Sequence, residues 1–288
     1  MAAILLALGA ALGYGGSDFV AGWLSRKSHY ARVGLLSQLT AATGCVAAAA
    51  GVGGRTSGAA LAWGALAGLG GGFGTLALYR GLGRGRMNVV APLSGVLAAG
   101  LPALVGLALG ERPSVAAMVG LVLAFPAVWL TSSVDAADAH ADAASTRSSV
   151  VDGILAGVGF AVLFVGLQRG GRDGGLWPSA ASQVVSAFPM LGLYGWKLAG
   201  GSRSELTAGS TPLVRFGPIL GGVFAAVAVT LYYLATQRGL LTVVAVLTSL
   251  YPAVTVALAR GLLSERIGRR QGAGLALAGI SVALISAA

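Results

Sequence analysis

The chain has 288 residues, of which 56% are hydrophobic and only 10% carry a formal charge. A soluble domain carries about 25% charged residues, so this composition would leave a soluble fold without a polar surface. The net charge is +10, but the basic residues are scattered in short segments between apolar runs. That distribution argues against a nucleic-acid-binding patch and indicates a membrane protein whose basic residues contact anionic lipid headgroups.

Ten apolar stretches follow one another along the chain, and most have the roughly 20 residues that a helix needs to cross the hydrocarbon core. In chain order they are 1–25, 33–54, 56–79, 87–110, 113–134, 153–168, 174–196, 216–237, 239–259 and 271–288. Only the first contains a charged residue, Asp18. None shows the polar and apolar alternation of a membrane β-strand. We predict an all-α integral membrane protein with ten transmembrane helices.

The first stretch is expected to be a retained helix and not a cleaved signal peptide. It has no basic segment at its start, and its apolar run continues past Asp18 to Trp23.

Glycine is frequent, with 47 residues, and it recurs at spacings of four within several stretches. The sets are Gly9 and Gly13; Gly64, Gly68 and Gly72; Gly153 and Gly157; and Gly217 and Gly221. This spacing places small residues on one helix face, where they allow close helix packing in lipid. The GGGFG run at 70–74 lies inside a stretch of this kind, so we interpret it as a packing face and not as a nucleotide-binding loop.

The chain contains an internal duplication, because residues 79–112 align without a gap with residues 233–266. The matched positions include Tyr79 with Tyr233, the Val-Val-Ala trio at 89–91 with that at 243–245, Ser94 with Thr248, and Glu111 with Glu265. We predict two five-helix repeats, 1–134 and 150–288, joined by a polar linker, 135–149. Five is an odd number, so the second repeat would enter the membrane from the opposite side, as in many secondary transporters.

Both repeats carry the same short motifs. The first has a tyrosine at the end of its third helix, VVAPLS in the fourth and LGER at its end, and the second echoes them with YYLATQRG, VVAVLTSLYP, LSER and QGAG. Together with GYGGSDFVAGWLSRK in the first stretch, this pattern resembles the EamA domain of the drug/metabolite transporter superfamily. The resemblance covers essentially the whole chain. It implies two inverted five-helix repeats and the transport of small metabolites or drugs.

Asp18 is the first candidate functional residue, since it lies roughly 7 Å inside the predicted boundary of its helix. A charge in the membrane costs several kcal/mol and usually faces a cavity or a partner. We expect it to bind a proton, a cation, or a cationic or hydroxylated substrate. The related small multidrug-resistance proteins use a first-helix carboxylate, which supports this hypothesis by resemblance. The alternative is a structural acid, paired with a basic residue or hydrogen-bonded to a neighbouring helix.

Further polar residues lie deep in other stretches and could outline a central cavity around Asp18. Tyr14 lies one helical turn from Asp18, on the same face. Each of the other polar residues could instead form hydrogen bonds that hold neighbouring helices together. The full candidate set for substrate or proton binding is Asp18, Tyr14, Ser17, Gln38, Ser94, Gln168, Gln183, Tyr232, Thr248 and Tyr251.

Four residues are assigned structural roles. Pro92 and Pro252 are expected to interrupt helices and to free backbone carbonyls that can line a cavity. Glu111 and Glu265 end the fourth and ninth stretches, where we expect them to pair with an arginine or to cap the following helix.

Catalysis is not expected, because the two histidines, His29 and His140, lie in polar segments and the single cysteine, Cys45, has no metal-ligand company. No cofactor and no metal are predicted. We expect a secondary transporter of a small organic solute, with protons as a candidate coupling ion. The alternative is a flippase for lipids or lipid-linked sugars with the same fold.

The protein is expected in the cytoplasmic membrane, as a monomer or a homodimer. Its orientation stays open because two arguments disagree. Lys and Arg are more frequent in the loops after odd-numbered helices, which would place both termini outside. The EamA resemblance implies cytoplasmic termini.

Overall fold

The computed structural model describes residues 1–25, 27–54, 56–83, 87–132, 143–171, 174–201, 211–263 and 268–287. Within these ranges all regular structure is helical. The helices are α1 (Ala2–Ser25), α2 (Tyr30–Val52), α3 (Gly58–Gly83), α4 (Met87–Ala108), α5 (Val115–Ser132), α6 (Ala143–Arg169), α7 (Trp177–Ala199), α8 (Pro212–Thr236), α9 (Leu241–Thr248), α10 (Tyr251–Leu263) and α11 (Arg269–Ser286).

Six segments of the described chain are long and apolar enough to cross a membrane, which confirms a multi-pass membrane protein. They are Ala2–Ser25, Tyr30–Val52, Gly58–Arg80, Arg147–Arg169, Pro212–Thr236 and Leu241–Leu263. Two shorter apolar helices cover Leu93–Ala108 and Val115–Thr131. The remaining predicted spans, α7 and α11, are helical at the expected places.

The span Leu241–Leu263 is divided by a turn at Ser249 and Leu250. Pro252 explains the break, because proline lacks the N–H that would continue the helical ladder and its ring would clash with the carbonyl group four residues earlier, that of Thr248. The interruption expected at Pro252 is therefore found. The one expected at Pro92 is wrong, since α4 runs through that position without a break.

Helices of the first half pack mainly against helices of the second half. Helix α1 packs against α8, and α3 packs against α6. Similarly, α2 packs against α8 and α3 against α7, while α4 packs against α6 and α1 against α9 and α10. Helix α5 lies against α11. The core is thus formed between the two halves and not within each of them.

Several glycines at spacings of four form close helix contacts, as the sequence predicts. A Cβ on Gly64 would clash with the backbone of Pro178, one on Gly68 with the carbonyl oxygen of Ser182, and one on Gly72 would lie 2.8 Å from the carbonyl oxygen of Ser186. All three contacts join α3 to α7. The α1–α8 and α4–α6 contacts follow the same rule, with Gly13 against Ala228, and Gly157 against Leu97. Small side chains let these backbones approach and gain dispersion contacts.

Buried apolar clusters are found at both ends of the bundle among the described residues. At one end, here called the Glu111 end, Glu111 contacts the start of α9 and Gly175 contacts Gly53. The largest cluster of buried apolar residues, which includes Leu167, Tyr233 and Leu247, lies toward this end. Among the described residues, the opposite end, the Arg80 end, holds two smaller clusters.

Two expectations from the sequence need correction. Helix α6 begins at Ala143, so the last residues of the predicted linker 135–149 are helical. Asp152 consequently lies inside a span and not at its edge, and Asp18 is not the only acid within one. Asp152 is buried and is bonded by Arg80, whose Nη2 and Nε atoms lie 2.5 and 2.9 Å from Oδ1. Glu265 and His140 lie outside the described residues.

Candidate functional site: a cavity around Asp18

A cavity of about 100 Å³ lies between helices of both halves and contains Asp18. This volume can hold several water molecules or a small organic group. The lining comes from α1, α2, α3, α4, α6, α7, α8 and α10. The lining residues are Tyr14, Ser17, Asp18, Gly34, Ser37, Gln38, Gly71, Thr75, Leu78, Tyr79, Ala98, Phe160, Leu163, Phe164, Gln183, Ser186, Ala225 and Tyr251.

Asp18 lies on α1 seven residues before the helix ends at Ser25, which is about 10 Å along the axis. Its carboxylate makes no hydrogen bond or ion pair with any residue that the structure describes. The basic residue Arg80 bonds to Asp152 instead. The structural interpretation of Asp18 required a protein partner, and the described residues provide none. The carboxylate therefore faces the cavity with its hydrogen-bonding capacity unused.

Aromatic rings surround this part of the cavity. The ring centroid of Tyr14 lies 6.2 Å from that of Phe164 and 6.2 Å from that of Tyr251, with interplanar angles of 55° and 56°. The hydroxyl oxygen of Tyr14 is buried and has no hydrogen-bond partner within the described chain. A buried hydroxyl usually has a partner, so Tyr14 presents a second unused polar group beside Asp18.

Amide side chains from the two halves meet in the same cavity. Gln38 on α2 donates from Nε2 to the Ser186 hydroxyl on α7, at 2.8 Å. Gln183 lies one turn before Ser186 on α7 and is buried, yet its amide bonds to none of the described residues. Ser37 donates to the Pro218 carbonyl oxygen at 2.9 Å. Hydrogen bonds therefore hold Ser37 and Gln38 in place in the wall formed by α2 and α7, whereas the Gln183 amide can bond to a molecule in the cavity.

Six of the predicted site residues line this cavity, namely Asp18, Tyr14, Ser17, Gln38, Gln183 and Tyr251. The other four lie elsewhere, in the packed regions. Tyr232 is fully buried and donates to the Phe164 carbonyl oxygen at 3.2 Å. Thr248 donates to the Ala7 carbonyl oxygen at 3.4 Å, and Ser94 is buried in α4. The Gln168 side-chain oxygen is buried near the end of α6. Tyr232 and Thr248 thus bond to neighbouring helices, and none of the four residues lines the cavity.

Sequence reasoning missed several lining residues, and helical spacing could have found some of them. Gly71, Thr75 and Tyr79 recur every four residues on α3, so they share one face. Phe160 and Phe164 do the same on α6. From the sequence, Tyr79 was identified only as the repeat partner of Tyr233. Its spacing of four residues from Thr75, which places both on one face of α3, is the pattern that could have assigned it to the cavity.

Glu111 has a structural role, as predicted, but it caps a helix of the opposite half. Its Oε1 accepts a hydrogen bond from the backbone N–H of Leu241 at 2.7 Å, and its Oε2 accepts one from that of Thr242 at 2.8 Å. The Thr242 hydroxyl donates to Oε2 at 2.5 Å. A carboxylate at a helix N-terminus satisfies free N–H groups and complements the helix dipole. The predicted cap on the following helix, α5, is therefore wrong.

The Glu111 end is closed by contacts between α6 and α8. Tyr232 stacks on Phe164 with ring centroids 4.3 Å apart. Tyr233 donates a short hydrogen bond from its hydroxyl to the Gly171 carbonyl oxygen, and Gln237 donates to the Gln168 carbonyl oxygen at 3.4 Å. These contacts and the apolar cluster pack the bundle between the Asp18 cavity and the Glu111 end.

No group of three His, Cys, Asp or Glu side chains is placed to hold a metal ion within the described ranges. The cavity offers Asp18 as a lone carboxylate. Its chemistry is that of a largely apolar pocket with one acid, a few polar side chains and several aromatic rings, which suits reversible binding of a small molecule.

Comparison with known proteins agrees with the fold and the motifs. A solved structure, titled only as the crystal structure of a protein, has a TM-score of 0.73 and 16% sequence identity, and the alignment covers 98% of this chain and 95% of that one. No curated protein matches the chain. Residues 148–287 match the EamA-like transporter family. The EamA resemblance read from the sequence is thus confirmed for residues 148–287, which match the EamA-like transporter family, a family of the drug/metabolite transporter superfamily.

Proposed function

We propose that this protein is a secondary transporter of a small organic solute and that the Asp18 cavity is its binding site. One observation carries the proposal: a carboxylate and a tyrosine hydroxyl that bond to none of the described residues face the same cavity between the two halves. Polar groups at membrane depth are costly unless a partner satisfies them. A solute or a proton would supply that partner.

The helix contacts support two inverted five-helix repeats that alternate in access. The helices α9 and α10 form one span, so each half has five helical segments that can be matched in order. When each helix is replaced by its match in the other half, the α1–α8 contact becomes the α6–α3 contact, and the α2–α8 contact becomes the α7–α3 contact. A contact set that survives this exchange supports two related conformations, in which the halves swap roles. The closed Glu111 end would then open in the second conformation.

The family assignment supports the transporter and does not favour the lipid flippase. We place the protein in the cytoplasmic membrane, as a monomer or a homodimer. Asp18 is the candidate site for a coupling proton as well as for the solute.

The proposal is tested by reconstituting the purified protein and its Asp18→Asn variant in liposomes. Candidate solutes come first from thermal stabilisation of the wild type against a metabolite panel, since a bound ligand stabilises the folded state by mass action. Uptake of each hit should then be saturable in the wild type and lost or uncoupled from the proton gradient in Asp18→Asn. Normal uptake with a normal response to the gradient in that variant would overturn the assignment of Asp18.

A further inference from the structure

We propose that the Asp18 cavity selects small organic amines in their cationic form, with the Asp18 carboxylate as counter-ion. This inference rests on the proposed transport function, because it names the class of solute that the same cavity would carry.

The charge of the cavity favours a cation. Asp18 is the only Asp, Glu, Lys, Arg or His among the lining residues, all of which the structure describes. Two basic residues at the Arg80 end are engaged elsewhere: Arg80 bonds to Asp152, and Lys27 lies 4.3 Å from the centroid of the Trp23 ring. An anionic solute would meet the carboxylate without a compensating positive charge in the cavity lining, so like-charge repulsion would disfavour it.

The rings around Asp18 also favour a cation. The rings of Tyr14, Tyr251 and Phe164 form one cluster, in which the centroid of Tyr14 lies 6.2 Å from that of Tyr251 and 6.2 Å from that of Phe164. Aromatic faces carry the negative part of the ring quadrupole and attract cations within about 6 Å. The same rings pack against an alkyl or aryl body, so the cluster suits an amine with an apolar part.

Hydrogen bonding favours an amine that retains N–H groups. A primary ammonium group has three donors and no acceptor. The cavity presents acceptors that are unused among the described residues, namely the Asp18 carboxylate, the buried Tyr14 hydroxyl oxygen and the Gln183 amide. A neutral alcohol could bond to some of these groups, but it would leave the carboxylate without a counter-ion.

The test uses three ligands with the same branched alkyl body and different charge: isoamylamine, isoamyl alcohol and isocaproate. Dissociation constants are measured at neutral pH by thermal stabilisation and by calorimetry on the purified full chain. We expect isoamylamine to bind at least about tenfold more tightly than isoamyl alcohol, which is the size of a hydrogen-bonded charge interaction. Isocaproate should show no binding.

Three variants locate the preference. Asp18→Asn should reduce the amine-to-alcohol ratio to about one, whereas Asp18→Glu, which keeps the charge, should retain a preference for the amine. Asp152→Asn removes an acid that lies outside the cavity lining and should leave the ratio unchanged. The wild-type ratio tests the proposal even where Asp18→Asn fails to fold.

Equal binding of the amine and the alcohol, tighter binding of isocaproate, or no binding of the amine would each overturn the amine assignment. None of these results would touch the transport function, which is measured separately by solute uptake into liposomes. Conversely, amine binding without any uptake would sustain the selectivity of the cavity and would contradict the transport function on which it rests.

Discussion

Glu111 of α4 and Thr242 of α9 join the two halves of the protein through a helix cap. The carboxylate accepts hydrogen bonds from both the backbone N–H and the hydroxyl of Thr242, at 2.8 and 2.5 Å. The contact lies at the closed end of the bundle, where it fixes the start of a span that is broken a few residues later. A side chain from one half thus caps a helix of the other half.

Replacing Glu111 with Gln should destabilise the protein by about 1–3 kcal/mol, because the partly buried cap loses its charge-assisted hydrogen bonds. Thermal unfolding in detergent measures the effect. A double-mutant cycle with Thr242→Val should show a coupling of about 1 kcal/mol between the two positions. Strict additivity of the two changes would contradict the cap.

Substitution of Gly68 by Ala should lower the melting temperature, since the added Cβ would clash with the Ser182 carbonyl oxygen on α7. Overpacking of this kind costs about 1–3 kcal/mol. Gly192, on α7 itself, provides the matched control because a Cβ there would meet no atom within 4 Å. Gly192→Ala should be neutral or stabilising. The account of helix packing fails if both variants have the same stability.

The sequence predicted the helices well, because charges interrupt the apolar runs and the duplication aligns the two halves. The helix faces that pack against each other could also be predicted, because glycines four residues apart lie on one face of a helix. The pairing of Asp152 with Arg80 was not predictable, because α6 begins earlier than its charge-free run suggests. The capped helix of Glu111 was missed for a related reason: a contact between residues 130 positions apart depends on how the halves dock.

The cavity was predicted only in part. Tyr14 and Asp18 share a face of α1, so their convergence followed from the helical period. Tyr232 and Thr248 are similarly polar and similarly deep, but they face neighbouring helices, and no residue pattern within a single helix distinguishes these two orientations.

The two acids within spans should respond differently to neutralisation. Asp152→Asn removes the partner of Arg80 and should destabilise the protein by about 1–2 kcal/mol, a value reduced for solvent because the Arg80 side chain is 49% exposed. Asp18→Asn should keep or raise stability, because no ion pair with a described residue is lost. Melting temperatures of the two variants decide the point, and a larger loss in Asp18→Asn would show that Asp18 is structural.

Tyr233 should hold the Glu111 end closed through its bond to the Gly171 carbonyl oxygen. Tyr233→Phe removes this bond, worth about 1 kcal/mol, and should raise the frequency of opening at that end roughly fivefold. Hydrogen exchange of the segment 174–176 reports the opening. Tyr79→Phe is the control at the aligned position, since the Tyr79 hydroxyl bonds to none of the described residues. Equal hydrogen-exchange rates of this segment in both variants would show that the Tyr233 bond does not keep the Glu111 end closed.

Alternating access to the Asp18 cavity is tested most directly by thiol labelling from each side of the membrane. Thr75 lines the cavity, and the single native thiol, Cys45, is buried and serves as the unreactive control. Thr75→Cys is introduced into a Cys45→Ala background and exposed to a membrane-impermeant maleimide in vesicles of either orientation. We predict that Thr75→Cys is labelled from both sides while Cys45 in the wild type is labelled from neither. Labelling of Thr75→Cys from one side only would contradict transport through this cavity.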